Sequence, residues 1–106
     1  MANYLLVYHG GGTPDGVDEQ AKVMQAWADW FGKLGPALVD GGNPASQSKS
    51  VSGNGDVSEI GSDPVTGYSI IKAESLDEAL ERAKGCPLFL GPRTARIEVV
   101  ETFQAM

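Results

Sequence analysis

Thr66-Gly67-Tyr68-Ser69-Ile70-Ile71-Lys72-Ala73-Glu74 runs directly into Ser75-Leu76-Asp77-Glu78-Ala79-Leu80-Glu81-Arg82-Ala83-Lys84-Gly85-Cys86-Pro87, and the reading of this stretch decides the fold. Its first part is rich in β-formers and predicts a strand over residues 67–73 with apolar side chains on both faces. The second part carries both ends of a helix. Ser75 can accept a hydrogen bond from the N–H of Glu78 while Glu78 reaches back to the N–H of Ser75, a capping box. Leu76, Ala79, Leu80 and Ala83 recur at spacings of three and four, leaving Asp77, Glu78, Glu81, Arg82 and Lys84 for the solvent side. Acids come early and bases late, as the helix dipole favours. A left-handed Gly85 would end the helix and Pro87 bars its continuation, so it is predicted over residues 76–84.

Working outward, residues 3–9 (Asn-Tyr-Leu-Leu-Val-Tyr-His) read as a second two-faced strand. Gly10 to Gly12 break it, and Thr13-Pro14-Asp15 offers a cap and a first-turn proline for a helix established by Val17. Along residues 17–34 the helical period puts Val17, Ala21, Met24, Ala28 and Phe31 on one stripe, opposite Asp18, Lys22, Gln25, Asp29 and Lys33. Val23, Trp27, Trp30 and Leu34 flank that stripe and widen the apolar arc to about 180°, where roughly 100° suffices for packing on one sheet. Gly35-Pro36 ends the helix. Ala37 to Asp40 makes a short strand, followed by a Gly41-Gly42-Asn43-Pro44 turn. Residues 46–52 have the polar character of an edge strand, Gly53-Asn54-Gly55-Asp56 reads as a hairpin tip, and the stretch on to Pro64 as a mobile loop. Arg93 to Phe103 alternates Ala95, Ile97, Val99, Glu101 and Phe103 on one face of a last strand.

The order β, α, β, hairpin with a further strand, α, β predicts an α+β, ferredoxin-like antiparallel sheet with two helices on one face and the strands at 3–9 and 67–73 in its middle. Both central strands are apolar on two faces, yet two helices cover only one. The remaining face calls for a partner, and a homodimer with facing sheets is the expectation.

At 106 residues the chain is the size of one domain and buries roughly two thirds of its unfolded surface. A net charge of −6, a pI near 4.5 and eight scattered basic residues argue against nucleic acid as a partner. A single cysteine leaves no internal disulfide and fits a reducing compartment. With no long apolar run and no basic-then-apolar opening segment, the expectation is a soluble cytoplasmic protein without a membrane partner.

Several segments together resemble the YCII-related family of small dimeric α+β barrel proteins. They are Tyr4-Leu5-Leu6-Val7-Tyr8, Val23-Met24-Gln25-Ala26-Trp27 with Trp30-Phe31, the run from Ala37-Leu38-Val39-Asp40 to Gly41-Gly42-Asn43-Pro44, Thr66 to Ile71, and Ser75-Leu76-Asp77-Glu78-Ala79 through Gly85-Cys86-Pro87. Their order and spacing span nearly the whole chain. The resemblance implies a ferredoxin-like protomer and a dimer with facing sheets. Some members are proposed to act through a His in the first helix and an Asp just after the second. Those positions fall on Met24 and near Gly85 and Cys86, so the dyad is not carried over. The Asp-Gly-Pro-Phe motif of other relatives would fall near Asp63-Pro64, where this chain has Ser62-Asp63-Pro64-Val65.

His9 is the one histidine, at the end of a central strand, and any imidazole acid or base must use it. One His and one Cys without a close cluster give no metal site, and no cofactor motif is present. Gly10-Gly11-Gly12 lacks the spacing of a nucleotide loop and reads as a connector. Cys86, beyond a helix C-terminus, reads as a packing residue. The expected function is small-molecule binding, with lyase or isomerase chemistry that needs no cofactor as its enzymatic form. In that form His9 acts as acid or base, Asp63 or Asp40 orients it, Tyr68 donates a hydrogen bond and Trp27 borders the ligand. The alternative is a non-catalytic ligand-sensing or protein-interaction module, contacting another protein through residues 52–63.

Overall fold

The computed structural model describes residues 1–11, 16–90 and 95–105. The cap and proline expected at 13–15, and the first part of the last predicted strand at 93–94, lie outside them. Eight elements follow in order: β1 (Ala2–His9), α1 (Val17–Leu34), β2 (Leu38–Asp40), β3 (Lys49–Val51), β4 (Val57–Glu59), β5 (Val65–Ala73), α2 (Leu76–Lys84) and β6 (Arg96–Glu101). The fold is α+β. Four strands form an antiparallel sheet in the order β2-β5-β1-β6, the ferredoxin-like arrangement, with the two apolar strands in the centre.

Strand parity divides the sheet into a packed face and an open one. Tyr4, Leu6 and Tyr8 of β1 and Ile71 and Ala73 of β5 are buried together with Trp30 and Leu34 of α1 and Ala79 and Ala83 of α2. Ile97 and Val99 of β6 pack against this core from the side. Ala79 and Ala83 let α2 come close to the sheet, which leaves the larger Leu76 and Leu80 of the same stripe partly exposed.

On α1 the buried stripe is not the one centred on Val17, Ala21, Met24 and Ala28. Val17 is 80% and Met24 73% exposed, and the flanking set of Trp27, Trp30 and Leu34, with Phe31, faces the sheet instead. Burial scales with apolar area, so the rotation that hides two indoles and Leu34 along with Phe31 wins over one that hides Val17, Met24 and two alanines with it. Their rings pack as a unit, Trp27 lying 5.8 Å from Trp30 and 5.7 Å from Phe31 between centroids. Trp30 Nε1 also donates to the carbonyl of Arg82 at 3.3 Å, tying α1 to the end of α2.

The boundaries of α2 are those predicted, with one difference at each end. Glu78 N–H donates to Ser75 Oγ at 3.1 Å, but the Glu78 carboxylate accepts from the N–H of Glu74, one residue earlier than in a capping box. Gly85 has φ −84° and is not left-handed. The helix ends instead through Gly85 N–H and Cys86 N–H bonded to the carbonyls of Arg82 and Ala83.

β3 and β4 pair only with each other, forming a separate two-stranded sheet, so residues 49–51 do not supply an edge of the main sheet. The predicted tip is present, with Ser52 N–H bonded to Asp56 O at 2.8 Å, while β4 occupies part of the stretch expected as a loop. Among the described residues no helix is long and apolar enough to cross a membrane.

Candidate functional site

At the end of the sheet where β1 finishes and β5 begins, a cavity of about 320 Å³ opens between α1 and the chain that leaves β2. Tyr8 forms its floor, Trp27 and Phe31 its helical wall, Gly41 to Pro44 its rim, Thr66 to Tyr68 one side and Leu88 the other. Tyr8 and Trp27 meet edge to face with centroids 5.5 Å apart. Among the described residues the lining contains no acidic, basic or imidazole side chain.

A buried hydrogen-bond chain fixes this shape. Tyr8 Oη donates to Ser69 Oγ at 2.7 Å, and Ser69 Oγ donates to the carbonyl of Gly41 at 2.8 Å. Asp40 accepts from the N–H of Gly42 at 2.8 Å, a local turn that sets the rim. Beyond it the chain runs alongside β5, with Tyr68 N–H bonded to Asn43 O and Ala45 N–H to Thr66 O. Gly42 has φ +75°, and a β-carbon there would lie 1.7 Å from the Tyr68 carbonyl oxygen, so only glycine fits. Burial pushes the Tyr8 phenol well above its ordinary pKa, and the Ser69 hydrogen bond offsets this only in part. Burial likewise pushes the neighbouring Cys86 thiol up to about 11, which leaves it a packing group and not a nucleophile.

His9 and Asp63 sit elsewhere. Tyr8 and His9 are consecutive, but Tyr8 turns into the packed face while His9 joins the open one, beside a register shift in the β1–β5 pairing. His9 is 5% exposed. Its Nδ1–H donates to the backbone carbonyl of Asp63 at 3.1 Å and lies 3.6 Å from the Asp63 carboxylate. Glu98 Oε1 approaches Nε2 to 2.7 Å, outside hydrogen-bond geometry. Both ring nitrogens thus face oxygen, Nδ1 with a hydrogen bond and Nε2 without one. Arg96 completes the group, bonded to Asp63 Oδ2 through Nε at 2.8 Å and lying 3.2 Å from Glu98. The Asp63 hydrogen bond raises the pKa of this guanidinium further.

The five residues singled out in the sequence therefore fall into three places. Trp27 and Tyr68 border the cavity; Tyr68 pairs with Val7, so it belongs to the rim between the two faces, where its hydroxyl accepts from Asn43 Nδ2 at 3.5 Å. His9 and Asp63 come together on the open face. Asp40 joins neither group and acts on the rim through Gly42. Sequence reasoning missed Glu98 and Arg96, whose signal was their alternation with the inward Ile97 and Val99. It also missed Phe31, Asn43 and Leu88 as cavity walls. Among the described residues no group of three or more His, Cys, Asp or Glu side chains is placed to hold a metal ion.

The open face also carries an apolar row, bordered on one side by Asn3 and Lys72. Ile70, Leu5 and Val100 stand abreast on three adjacent strands, and Val7 lies in the next row. A scan of the chain against protein-family models finds no match, and a search of curated proteins likewise finds none.

Proposed function

We propose that this chain is a small-molecule-binding protein of YCII-related type that works as a homodimer through its open sheet face. The observation that carries the binding reading is the cavity against α1, apolar, largely built from rigid elements and held open by the Tyr8–Ser69–Gly41 chain. The order of the motifs and the ferredoxin-like topology support the family. The row of Ile70, Leu5 and Val100 supports the dimer, since an apolar patch across three strands is the kind of surface that proteins cover. The lone buried thiol of Cys86 suits a reducing compartment and so a cytoplasmic location.

Binding without catalysis is the first reading, because the described walls of the cavity are aromatic, aliphatic and uncharged. A second, enzymatic reading is favoured by one observation: a buried histidine held between two carboxylates on the open face, where a dimer would enclose it. There His9 would be the acid or base and Asp63 its orienting partner, in a lyase or isomerase reaction without a cofactor.

A thermal-shift screen of metabolites tests the binding reading, because a ligand that binds the native state alone raises the melting temperature by mass action. Hits should be weakened by substitution in the cavity. Hits whose shifts respond to His9→Ala and Asp63→Asn instead move the site to the open face. Light scattering tests the assembly. A dimer in solution that Leu5→Glu dissociates is expected, and a wild-type chain that is monomeric at micromolar concentration refutes it.

A further inference from the structure

Resting on the reading of the cavity as a ligand site, we infer that its ligand is an uncharged, flat aromatic compound of one or two rings carrying a hydrogen-bonding group at one end. Most polar groups on the wall are already engaged within the fold. Tyr8 Oη donates to Ser69, Thr66 Oγ1 donates to the carbonyl of Gly10 at 3.0 Å, and Gly42 N–H donates to Asp40. The carbonyls of Gly41, Asn43 and Thr66 each accept a hydrogen bond from within the fold. Pro44 has no N–H to give. What keeps capacity lies at the rim: the exposed carboxamide of Asn43 and the hydroxyl of Tyr68, joined to each other only by a long contact of 3.5 Å. Among the described walls, a ligand therefore meets these two neighbouring polar groups at the entrance and mostly hydrocarbon or ring surface beyond them.

Charge and size narrow the class. Among the described residues no cation lines the cavity, and the chain carries a net charge of −6, so a carboxylate or phosphate would lose its hydration without a counter-charge from these walls. At about 320 Å³ the space lies at the lower end of ligand sites. Tyr8, Trp27 and Phe31 meet at angles of 65° and 56°, so their edges and faces border the space together. Such walls favour a ring over an aliphatic chain of equal area, through edge-to-face and offset contacts.

The test uses 2-naphthol, 2-naphthoate and phenyltrimethylammonium as probes, titrated into the intact protein and followed by fluorescence of its two tryptophans. Gly41→Leu serves as the blocking variant. Its β-carbon meets the Phe31 ring at 3.5 Å, an ordinary contact, and its remaining carbons take up cavity space. The expected result is saturable binding of naphthol, weaker by about tenfold or more for naphthoate because the anion must desolvate unpaired, with naphthol binding lost in Gly41→Leu. The circular dichroism spectrum of the variant checks that it folds, and Trp27→Leu gives an independent second block. Equal binding of naphthol and naphthoate, both sensitive to Gly41→Leu, overturns the ligand class and leaves the site intact. Tighter binding of the ammonium probe also overturns the class, in favour of a cation held on ring faces. Binding that neither variant weakens, or no binding of any probe up to millimolar concentration, overturns the site itself and this inference with it.

Discussion

Ser69→Ala should cost this protein more than Tyr8→Phe, although the two side chains share one hydrogen bond. Ser69 is fully buried and does two things: it accepts from the Tyr8 phenol at 2.7 Å and donates to Gly41 O at 2.8 Å. Alanine at position 69 strands a buried phenol proton, and each buried group left unsatisfied costs about 1–3 kcal/mol. The Gly41 carbonyl loses its donor too, but at the half-buried rim water replaces part of that bond. Cys86, which also contacts the phenol, is a weak acceptor and returns little. The expected loss for Ser69→Ala is about 2–3 kcal/mol. Phenylalanine at position 8 leaves the Ser69 donation in place and removes one neutral hydrogen bond, worth about 0.5–1.5 kcal/mol.

At about 4–8 °C per kcal/mol for a domain of this size, Ser69→Ala lowers the melting temperature by on the order of 10 °C and Tyr8→Phe by a few degrees. The sharper test is the cycle. In a Tyr8→Phe background no phenol is left to strand, so Ser69→Ala should cost about 1 kcal/mol less than in the wild type. Urea denaturation followed by tryptophan fluorescence, at one fixed protein concentration so that assembly does not shift the midpoints, measures all four corners. Equal single-mutant losses, or strictly additive ones, would show that the chain from β1 through β5 to the β2 turn is not coupled as described.

Two further consequences bear on the same region. Gly42→Ala should destabilise by more than about 2 kcal/mol and abolish ligand-induced shifts, because the turn must open to admit a methyl group that would otherwise overlap the Tyr68 carbonyl; thermal melts with and without ligand check it, and a variant as stable as the wild type refutes the geometry. Alkaline stability follows from Cys86: its thiol rises from an ordinary value of 9.0 to about 11, so the folded state holds this proton more tightly than the unfolded one. The contribution is fully present below pH 9 and lost as the pH climbs through 11, with the Tyr8 phenol adding a loss above its ordinary value of 10.0. Cys86→Ala should remove the part that begins near pH 9, and urea midpoints measured from pH 7.5 to 10.5 should show a flatter decline than the wild type; identical slopes would exclude it.

The elements themselves were legible because their signals are local. Ser75, Gly85 and Pro87 bound α2 through caps and breakers within a few residues of its ends, and the two-faced runs of β1 and β5 announced a sheet centre whatever lay around them. Rotation about a helix axis is not local. The stripe of Val17, Ala21, Met24 and Ala28 satisfies helical periodicity as well as the flanking set does, and the choice is made by ring area meeting a specific sheet surface. Register is not local either. That Arg96 and Glu98 share a face follows from alternation, but that the face places them beside His9 depends on how β6 slides along β1, and a slip of one residue would have sent both to the core side.

This distinction also explains why the candidate chemistry divided. His9, Asp63, Asp40 and Tyr68 group by residue type and by nearness to strand ends, and nearness along a strand says nothing about face. Tyr8 and His9 are neighbours in sequence, yet one closes the floor of an aromatic-walled cavity and the other is clasped by Asp63 and Glu98 on the far side of the sheet. A ligand resting on Tyr8 is thus separated from the imidazole by the sheet itself. An acid–base role for His9 requires a substrate on the open face, which is the surface assigned above to the second protomer. The two readings therefore make opposite demands on assembly: binding in the cavity would survive dissociation of the proposed dimer, because the described wall residues come from one chain, whereas chemistry at His9 would depend on what covers Leu5, Val7 and Ile70.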